Sequence, residues 1–408
     1  MTQENSGFTD LARQAFLQTQ EMPLAVKTAH NQLYIGVPQE TTFQENRVPL
    51  TPSSVELLVN RGHEVVIGSG AGKGANFSDK SFSEAGARIA YEPKQVFEAD
   101  IILKVDPPTQ DEIEWMKPDQ LLISAIQLAS LNELYIKNLA KKKVNAIAYE
   151  YFKDDSGSLP IIRSMSEIAG STSILIAAEY LASSNHGKGE MLGGIAGIPP
   201  TEVVIIGAGT VGEFAVRAAL GLGANVKVFD NNLFKLRRLQ NDIGERVFTS
   251  VIQPNILKKA LHSADVAVGA LRGQDGRSPC VVTEEMVMQM KPGSVIVDVS
   301  IDHGGCFETS EVTNHMSPVF RKHDVIHYCV PNISSRVART ASYALSNVLA
   351  PLILQISESG GFNRFIWDNP SVRSGIYMLN GNLTNMHIGQ RINMNSKDVD
   401  LLIGGFLK

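Results

Sequence analysis

A glycine-rich segment that directly follows an apolar run limits the possible folds of this chain more than any other stretch. The segment reads Gly207-Ala-Gly209-Thr-Val-Gly212, and the four residues before it, Val203–Ile206, are all β-branched. A strand, a tight glycine turn and a helix in this order form the dinucleotide-binding unit of doubly wound α/β domains. The glycines permit the turn, let a pyrophosphate approach the backbone, and let helix and strand pack closely. The pattern therefore predicts a cofactor site made by Gly207, Gly209, Thr210, Val211 and Gly212.

An acidic residue follows at the spacing that this unit requires. Asp230 ends the next apolar run, Val226–Phe229, and lies 23 residues after Gly207. A carboxylate at this position accepts hydrogen bonds from the ribose hydroxyls of NAD and repels the 2′-phosphate of NADP. We therefore expect NAD as the cofactor and hydride transfer as the reaction type. The alternative is a glycine turn that binds nothing, with an Asp230 that only caps a helix.

Strand-like and helix-like segments alternate along most of the chain, which is typical of mainly parallel sheets covered by helices. The predicted strands are Leu33–Val37, Glu64–Gly68, Ile101–Val105, Leu121–Ile126 and Val144–Ala148 in the first half, and Val203–Ile206, Val226–Phe229, Ala264–Ala270, Ser294–Val299 and Val325–Val330 in the second. The clearest predicted helices are Thr51–Arg61, about residues 164–184, and about residues 335–357 with an interruption at Pro351.

This alternation predicts the fold class: two doubly wound (Rossmann-like) α/β domains with a cleft between them, linked by long helices. Residues 31–160 together with 340–408 form the expected substrate domain, and residues 161–339 form the expected NAD-binding Rossmann domain. Residues 1–30 form an expected N-terminal arm, which is either an amphipathic segment that packs on a neighbour or a partly ordered tail.

Charge and composition exclude several other classes of protein. The chain has 37 Lys and Arg against 42 Asp and Glu, a net charge of −5, whereas binding to nucleic acid favours a basic surface. No apolar run approaches the roughly 18 residues of a membrane span; the best, Ile174–Leu181, contains Glu179. The three cysteines make neither a disulfide framework nor a metal-ligand spacing, so we expect no metal. Without an apolar signal core in the first residues, we expect a cytoplasmic protein.

Several segments together resemble the family of alanine dehydrogenases and transhydrogenase α-subunits, over about residues 33–380. These segments are Ile35–Glu40 with Glu45–Pro52, Gly70–Gly74, Ile102–Val105, Met165–Gly170, Asp298–Glu308 and Tyr328–Asn332. The motif Asp302-x-Gly-Gly-Cys-Phe-Glu308 is more similar to the alanine dehydrogenases than to the transhydrogenase subunits. The resemblance implies reversible, NAD-dependent oxidative deamination of L-alanine to pyruvate and ammonia.

The resemblance also implies roles for individual residues. Arg47 matches the arginine that holds the substrate carboxylate, a task suited to a planar guanidinium with two parallel donors. Lys104 matches a lysine that contacts the substrate's carboxylate or carbonyl oxygen, and Asp302 matches the acidic group beside the reacting carbon, where a proton is transferred. The positions expected near the cofactor are Ser166, Asp230 and Asn332.

One position departs from the family pattern. Where its alanine dehydrogenases have a histidine after the fifth predicted strand, this chain has Gln127. Glutamine forms hydrogen bonds but does not titrate, so it cannot act as a general acid or base. His303, which follows Asp302 where the family commonly has glutamine, offers a possible compensation. The alternative, an unrelated loop histidine, stays open.

The Gln127 replacement leaves two further functions open. One is a transhydrogenase-like NAD(H)-binding subunit, which needs no acid–base group for a substrate. The other is a non-catalytic NAD-binding protein. The resemblance implies a homo-oligomer, with a hexamer as the usual family form, and the helical stretch Tyr343–Leu354, which is apolar on several faces, favours the same expectation. The expected partners are therefore small molecules, L-alanine or pyruvate, and further copies of the chain.

Overall fold

A computed structural model describes residues 31–127, 131–154, 156–183, 187–273 and 277–405 of the 408-residue chain. The expected N-terminal arm, residues 1–30, lies outside the described residues, as does the predicted end of the second helix at Ser184. The described parts fold into two sheets with helices on their faces, as the alternating pattern predicts.

Fifteen strands lie in the described parts of the chain. They are β1 Tyr34–Val37, β2 Glu64–Gly68, β3 Arg88–Ala90, β4 Ile101–Leu103, β5 Leu121–Ser124, β6 Asn145–Ala148, β7 Glu202–Ile206, β8 Asn225–Phe229, β9 Phe248–Ser250, β10 Val266–Gly269, β11 Val295–Asp298, β12 Val319–Lys322, β13 Val325–Tyr328, β14 Ile376–Leu379 and β15 Asn382–Leu383.

Fourteen α-helices lie in the same parts. They are α1 Pro52–Asn60, α2 Asp79–Glu84, α3 Pro93–Val96, α4 Gln110–Trp115, α5 Glu133–Lys141, α6 Pro160–Ala182, α7 Thr210–Gly221, α8 Leu233–Ile243, α9 Pro254–Ser263, α10 Glu284–Met288, α11 Ala338–Glu358, α12 Phe362–Asp368, α13 Met386–Arg391 and α14 Val399–Gly404. Short 3₁₀ turns occupy Lys73–Ala75, Tyr149–Tyr151, Val299–His303, Ile333–Val337 and Pro370–Gly375.

Both sheets have the strand order of doubly wound folds. In the first sheet the order is β15-β14-β6-β5-β4-β1-β2-β3, with β1 to β6 parallel and β14 antiparallel to β6. In the second it is β12-β13-β11-β10-β7-β8-β9, in which only β12 is antiparallel. Each order reverses once, between β1 and β4 and between β7 and β10, and such reversals open the crevices where ligands bind. The predicted fold class is confirmed.

Five short strands were not predicted from the sequence. They are β3, β9, β12, β14 and β15. Four of them, β3, β9, β12 and β15, lie at the outer edges of the sheets. Apolar and polar residues alternate only weakly along edge strands, because much of the surface of such strands faces solvent. Phe248 of β9, for example, is an exposed aromatic residue. The fifth, β14, is fully buried and brings the C-terminal segment back to the first sheet.

Two long helices connect the sheets. Helix α6 places Ile161 in the core of the first sheet and Ile174 in the core of the second, so one rigid element joins both. The predicted interruption of the other helix at Pro351 is wrong, because α11 runs through this residue without a break. An interior proline costs about 3 kcal/mol. Burial of its neighbours Leu349 and Ile353, both 0% exposed, offsets this cost.

The segment Ile333–Glu358, which includes α11, has the length and mean hydropathy of a membrane-crossing helix in the part of the chain that the structure describes. No segment of this length was expected from the sequence, because serines such as Ser342 and Ser346 interrupt its apolar residues. These serines face the interior and bond to backbone and side chains of residues 48–54. Half of the most apolar window is buried within the protein, as in a core helix.

Candidate active site

The carboxyl ends of the parallel strands of both sheets carry the predicted functional residues. Arg47 lies in the connection after β1, Lys104 directly after β4, and Gln127 after β5. In the second sheet the glycine turn follows β7, Asp230 follows β8, Asp302 follows β11 and Asn332 follows β13. Direct contacts between the two groups show that these edges face each other across one cleft, which is where open α/β sheets bind ligands.

The glycine turn has the close approaches that require glycine. Gly207 has φ +120°, and a Cβ there would lie 2.3 Å from the carbonyl oxygen of Ala270. A Cβ on Gly212, in the first turn of α7, would lie 1.8 Å from the carbonyl oxygen of Gly207. A Cβ on Gly209 would meet no atom within 4 Å. The open side of the turn at Gly209 therefore leaves room for a phosphate beside the N-terminus of α7, where Thr210 and Val211 begin the helix.

Two glycine substitutions should separate folding from cofactor binding. Gly212→Ala should lower the free energy of unfolding and weaken NADH binding, because its Cβ collides with backbone. Gly209→Ala should leave stability nearly unchanged and weaken NADH binding about tenfold or more, because the methyl group occupies the open side. Urea unfolding and NADH fluorescence titration measure both quantities. Gly221→Ala, in open space at the other end of α7, is the control. Tight NADH binding by Gly209→Ala would contradict this assignment.

Asp230 is buried and bonded to the glycine turn. One carboxylate oxygen accepts from the amide of Ala208 at 2.8 Å, and the other accepts from the amide of Asn232 at 2.8 Å. The side chain that caps helix α8 is that of Asn232. Asp230 therefore holds the glycine turn against the end of β8, and the ribose contact expected of it stays a prediction.

Arg47 and Glu45 form a buried ion pair where the two domains meet. The Arg47 Nε lies 2.7 Å from one Glu45 oxygen, and its Nη2 donates to the other. Nη1 faces a weak acceptor, the Sδ of Met165 on α6, at 3.5 Å. Burial alone would raise the pKa of Glu45, but the Arg47 guanidinium holds it below its ordinary value. Glu45 thus fixes one edge of the guanidinium, while Nη1 is suited to donate to a stronger acceptor.

Asn332 and Asp302 continue this contact chain on the second sheet. The Asn332 side chain donates to Glu45 at 2.8 Å, and its backbone amide donates to Asp302 Oδ1 at 2.8 Å. Asn332 adopts a left-handed conformation, φ +54°, that asparagine tolerates better than most residues. The structure therefore brings Arg47, Asn332 and Asp302, three of the predicted site residues, into one network.

Asp302 is accessible from the cleft although protein surrounds it. Desolvation raises its pKa above the ordinary value, opposed by the Asn332 amide, His303 and Arg47. The turn that carries it, Val299–His303, is held from behind by buried Asp298, which accepts from the amides of Ser300 and Cys306 at 3.0 Å each. Ser300 in turn accepts from the amide of Leu271, next to the residue that crowds Gly207. The acidic turn and the glycine turn are thus adjacent.

Lys104 is buried behind this network. Its side chain is 1% exposed, and its Nζ lies 3.0 Å from Glu112 and 3.2 Å from Glu40. Desolvation would lower the pKa of Lys104, but the two carboxylates raise it. The predicted contact between Lys104 and a substrate stays a prediction, and in the structure Lys104 supports Glu40, which accepts from the amide of Val105.

Glu40 makes the stability of the protein depend on pH. Burial raises its pKa from 4.5 to about 7, although Lys104 opposes the shift. A carboxyl group with a raised pKa stabilises the fold below pH 4.5 relative to the ionised form and loses this contribution as the pH rises to about 7. Glu40→Gln should therefore flatten the decline of the unfolding free energy between pH 5 and 7 in urea titrations. Glu84→Gln, at an exposed ion pair, should leave the decline unchanged.

Gln127, the departure from the family pattern, bonds to an acidic residue. Its Nε2 donates to the carboxylate of Asp106, which is buried and follows Lys104 by two residues. Gln127 has φ +46°, and Glu150, after β6, fixes this loop by accepting from the amides of Ile126 and Gln127 at 2.8 and 3.4 Å. The wall formed by the first sheet therefore presents an Asp106–Gln127 pair.

Three members of the site, Glu45, Asp106 and Glu150, were not predicted from the sequence. Each directly follows a parallel strand or lies in the connection after one, as Arg47 and Lys104 do. Their position at the carboxyl end of a strand could have indicated them. Ser166, expected near the cofactor, lies half-buried on α6 beside Met165, whose backbone carbonyl accepts from Ser334 at 3.3 Å.

Comparisons with known proteins agree with this architecture. The family model "Alanine dehydrogenase/PNT, N-terminal domain" matches residues 36–169, and "Alanine dehydrogenase/PNT, C-terminal domain" matches residues 173–386. The alanine dehydrogenase of Methanococcus maripaludis is 43% identical over 354 residues, covering 86% of this chain and 94% of the relative. That of Bacillus subtilis is 40% identical over 353 residues, covering 86% and 93%.

Two solved structures extend the comparison. An L-alanine dehydrogenase superposes with a TM-score of 0.81 at 36% identity, covering 88% of this chain and 99% of that one. A transhydrogenase from Sinorhizobium meliloti, at 24% identity and a TM-score of 0.74, covers 86% and 99% and shares the fold. Two matching family models, together with relatives that align over most of both chains, establish that this chain belongs to the alanine dehydrogenase/PNT family.

Proposed function

We propose that this chain is an NAD-dependent alanine dehydrogenase, which converts L-alanine, NAD and water to pyruvate, ammonium, NADH and a proton, and catalyses the reverse reaction. The observation that carries the proposal is the contact chain Arg47–Glu45–Asn332–Asp302 across the cleft. It sets a carboxylate-binding cation and an acidic group beside the turn that bears the glycine motif. The names of the relatives and the NAD-type acid Asp230 support the same reaction.

The residues at the glycine turn fit a dinucleotide. Gly209 leaves open space beside the N-terminus of α7, and the buried Asp230 carboxylate disfavours a 2′-phosphate. Gly207, Gly209, Thr210, Val211 and Gly212 would hold the pyrophosphate, with Ser166, Asp230 and Asn332 near the rest of the cofactor. Bound NAD supplies the hydride acceptor.

The substrate residues divide the work between charge recognition and proton transfer. Arg47 Nη1 exchanges its weak sulfur partner for the substrate carboxylate, while Glu45 keeps the guanidinium oriented. Asp302 interacts electrostatically with Arg47. It binds the substrate ammonium or accepts the proton that leaves the reacting centre. Lys104 fixes Glu40 and the end of β4 from behind.

His303 could supply the titrating group that Gln127 does not. It follows Asp302 and acts on its pKa, whereas Gln127 is bonded to Asp106 on the opposite wall. If the imidazole carries protons, His303→Gln should lower kcat by about 10²–10⁴-fold and remove one limb of the pH profile. An unchanged kcat and pH profile would show instead that His303 is an unrelated loop residue. His387→Gln, on helix α13, is the control.

A transhydrogenase-like subunit is the second candidate, and the observation that favours it is Gln127 in place of a titrating residue. A non-catalytic NAD-binding protein would explain the same replacement. Either would leave the Arg47 clamp without a substrate.

We further propose a cytoplasmic homo-oligomer, with the hexamer that is usual in the family as the expected assembly. Sedimentation velocity of the full chain measures its mass.

Absorbance of NADH tests the proposed reaction in both directions. L-alanine with NAD at high pH should form NADH, and pyruvate with ammonium should consume it near neutral pH. Binding of NADH without turnover in either direction would refute the dehydrogenase assignment and favour the transhydrogenase-like or non-catalytic alternative. Repeating the deamination with NADP should give a much lower rate if Asp230 selects NAD.

A further inference from the structure

The wall of the cleft formed by the first sheet carries more acidic side chains than a substrate with a neutral side chain, such as alanine, requires. Its acidic residues follow strands β1, β4 and β6 or lie on the helix after β4, and interact with each other and with the same cations. They are Glu40, Glu45, Asp106, Glu112 and Glu150. Asp302 adds a sixth carboxylate from the second sheet.

The two cations within this network are already engaged. Arg47 is bonded through two of its nitrogens to Glu45, and Lys104 lies between Glu40 and Glu112. Arg272 and Arg391 interact electrostatically with Tyr151, the neighbour of Glu150, and both arginine side chains are exposed to solvent. Asp106 and Glu150 therefore have no basic side chain of their own within the ion pairs of the described residues.

A buried acceptor in this wall lacks a partner. Glu150 uses one oxygen for the amides of Ile126 and Gln127, while its Oε2 is buried and has no hydrogen-bond partner among the described residues. Leaving a carboxylate oxygen buried and unpaired is costly unless a proton or a cation reaches it. This orphan oxygen and the neighbouring Asp106 carboxylate favour a positively charged group.

The position of Arg47 orients a substrate between the two walls. Arg47 interacts electrostatically with Asp302 on one side and with Asp106 on the other. A substrate whose carboxylate is held at Arg47, with its reacting carbon at Asp302, therefore also lies within the electrostatic reach of Asp106. Its amino-acid side chain is the substituent that neither Arg47 nor Asp302 engages.

We propose that Asp106 and Glu150 make the site select amino acids whose side chain carries a cation over neutral amino acids of the same length. The inference rests on the proposed dehydrogenase function and extends its substrate range from L-alanine to short diamino acids. Asp106 acts as a specificity-determining residue, with Gln127 holding its carboxylate in place. Electrostatic selection of this kind needs no titrating group at Gln127.

Matched substrate pairs test the proposal in the full-length wild-type protein. L-2,4-diaminobutyrate is compared with L-norvaline, and L-ornithine with L-norleucine, since each pair differs in a terminal ammonium against a methyl group. Initial NADH formation at pH 8 gives kcat/KM for each. The proposal expects the charged member to exceed its neutral partner by about tenfold or more, because one ion pair at an effective dielectric constant of about 20 supplies at least this ratio.

Two variants locate the source of the preference. Asp106→Asn should reduce the charged-to-neutral ratio of kcat/KM about tenfold, and this ratio is the readout because a general loss of activity would lower both members alike. Glu150→Gln, which keeps an acceptor for the amides of Ile126 and Gln127, should reduce it in the same direction. Asp368→Asn, at an exposed ion pair on α12, should leave the ratio unchanged. Thermal melts of each variant report whether it folds.

The outcomes separate this proposal from the function on which it rests. Turnover of L-alanine and of the neutral amino acids, with a charged-to-neutral ratio near one in the wild type, would overturn the proposal and leave the dehydrogenase function intact. Absence of turnover with every amino acid would overturn both. A high ratio that persists in both Asp106→Asn and Glu150→Gln would overturn the assignment to these residues.

Discussion

Replacing Asp302 with asparagine should lower kcat for L-alanine deamination by about 10²–10⁴-fold while NADH still binds. The asparagine oxygen can accept the Asn332 amide as Asp302 does at 2.8 Å, so the turn should keep its shape. What disappears is the negative charge that would hold the substrate ammonium or the leaving proton beside Arg47. Steady-state kinetics and NADH fluorescence titration of the same preparation measure the two effects.

Two further observations make this expectation specific. Because desolvation raises the pKa of Asp302, the acidic limb of the pH–rate profile should lie above the ordinary range of an aspartate and disappear in Asp302→Asn. Asp324→Asn, in the turn between β12 and β13, provides a control. A kcat close to that of the wild type would contradict a role for Asp302 at the reacting centre.

Replacing Arg47 with glutamine should impair both substrate binding and stability. Truncating one partner of a buried, charge-assisted pair costs about 2–5 kcal/mol in binding. The value of kcat/KM for L-alanine should therefore fall about 30- to several-thousand-fold. Glu45, whose side chain is 1% exposed, would remain buried without its cation, which should lower the free energy of unfolding by about 3–5 kcal/mol. Urea unfolding and initial-rate kinetics check the two parts.

A double substitution distinguishes these two consequences. Glu45→Gln combined with Arg47→Gln removes both charges, so it should recover much of the stability but none of the activity. Arg364→Gln breaks an exposed pair with Asp368 and should cost at most about 1 kcal/mol. If Arg47→Gln left kcat/KM unchanged, Arg47 would be a structural residue rather than the carboxylate clamp.

Local sequence patterns were sufficient to predict the fold class. The ten predicted strands overlap β1, β2, β4 to β8, β10, β11 and β13, because buried parallel strands are continuous apolar runs. The glycine turn was recognisable from its local spacing, and the close approach at Gly212 is to Gly207 of the same turn, whereas the one at Gly207 is to Ala270, after a strand distant in the chain. Pro351 was misjudged because its local penalty is outweighed by burial that depends on distant parts of the chain.

The sequence by itself determined the two doubly wound sheets and the turn at Gly207–Gly212, because runs and spacings of a few residues indicate them. It indicated Arg47, Asp302 and Asn332 as candidates through the resemblance of their segments to a known family. Only the tertiary structure decided that Glu45 joins these candidates, through a hydrogen bond to Asn332 across 287 positions of the chain. It also decided that Lys104 lies buried behind Glu40 and that Asp106 holds Gln127. Such contacts depend on how two separately formed sheets face each other, and short sequence patterns carry no information on that orientation.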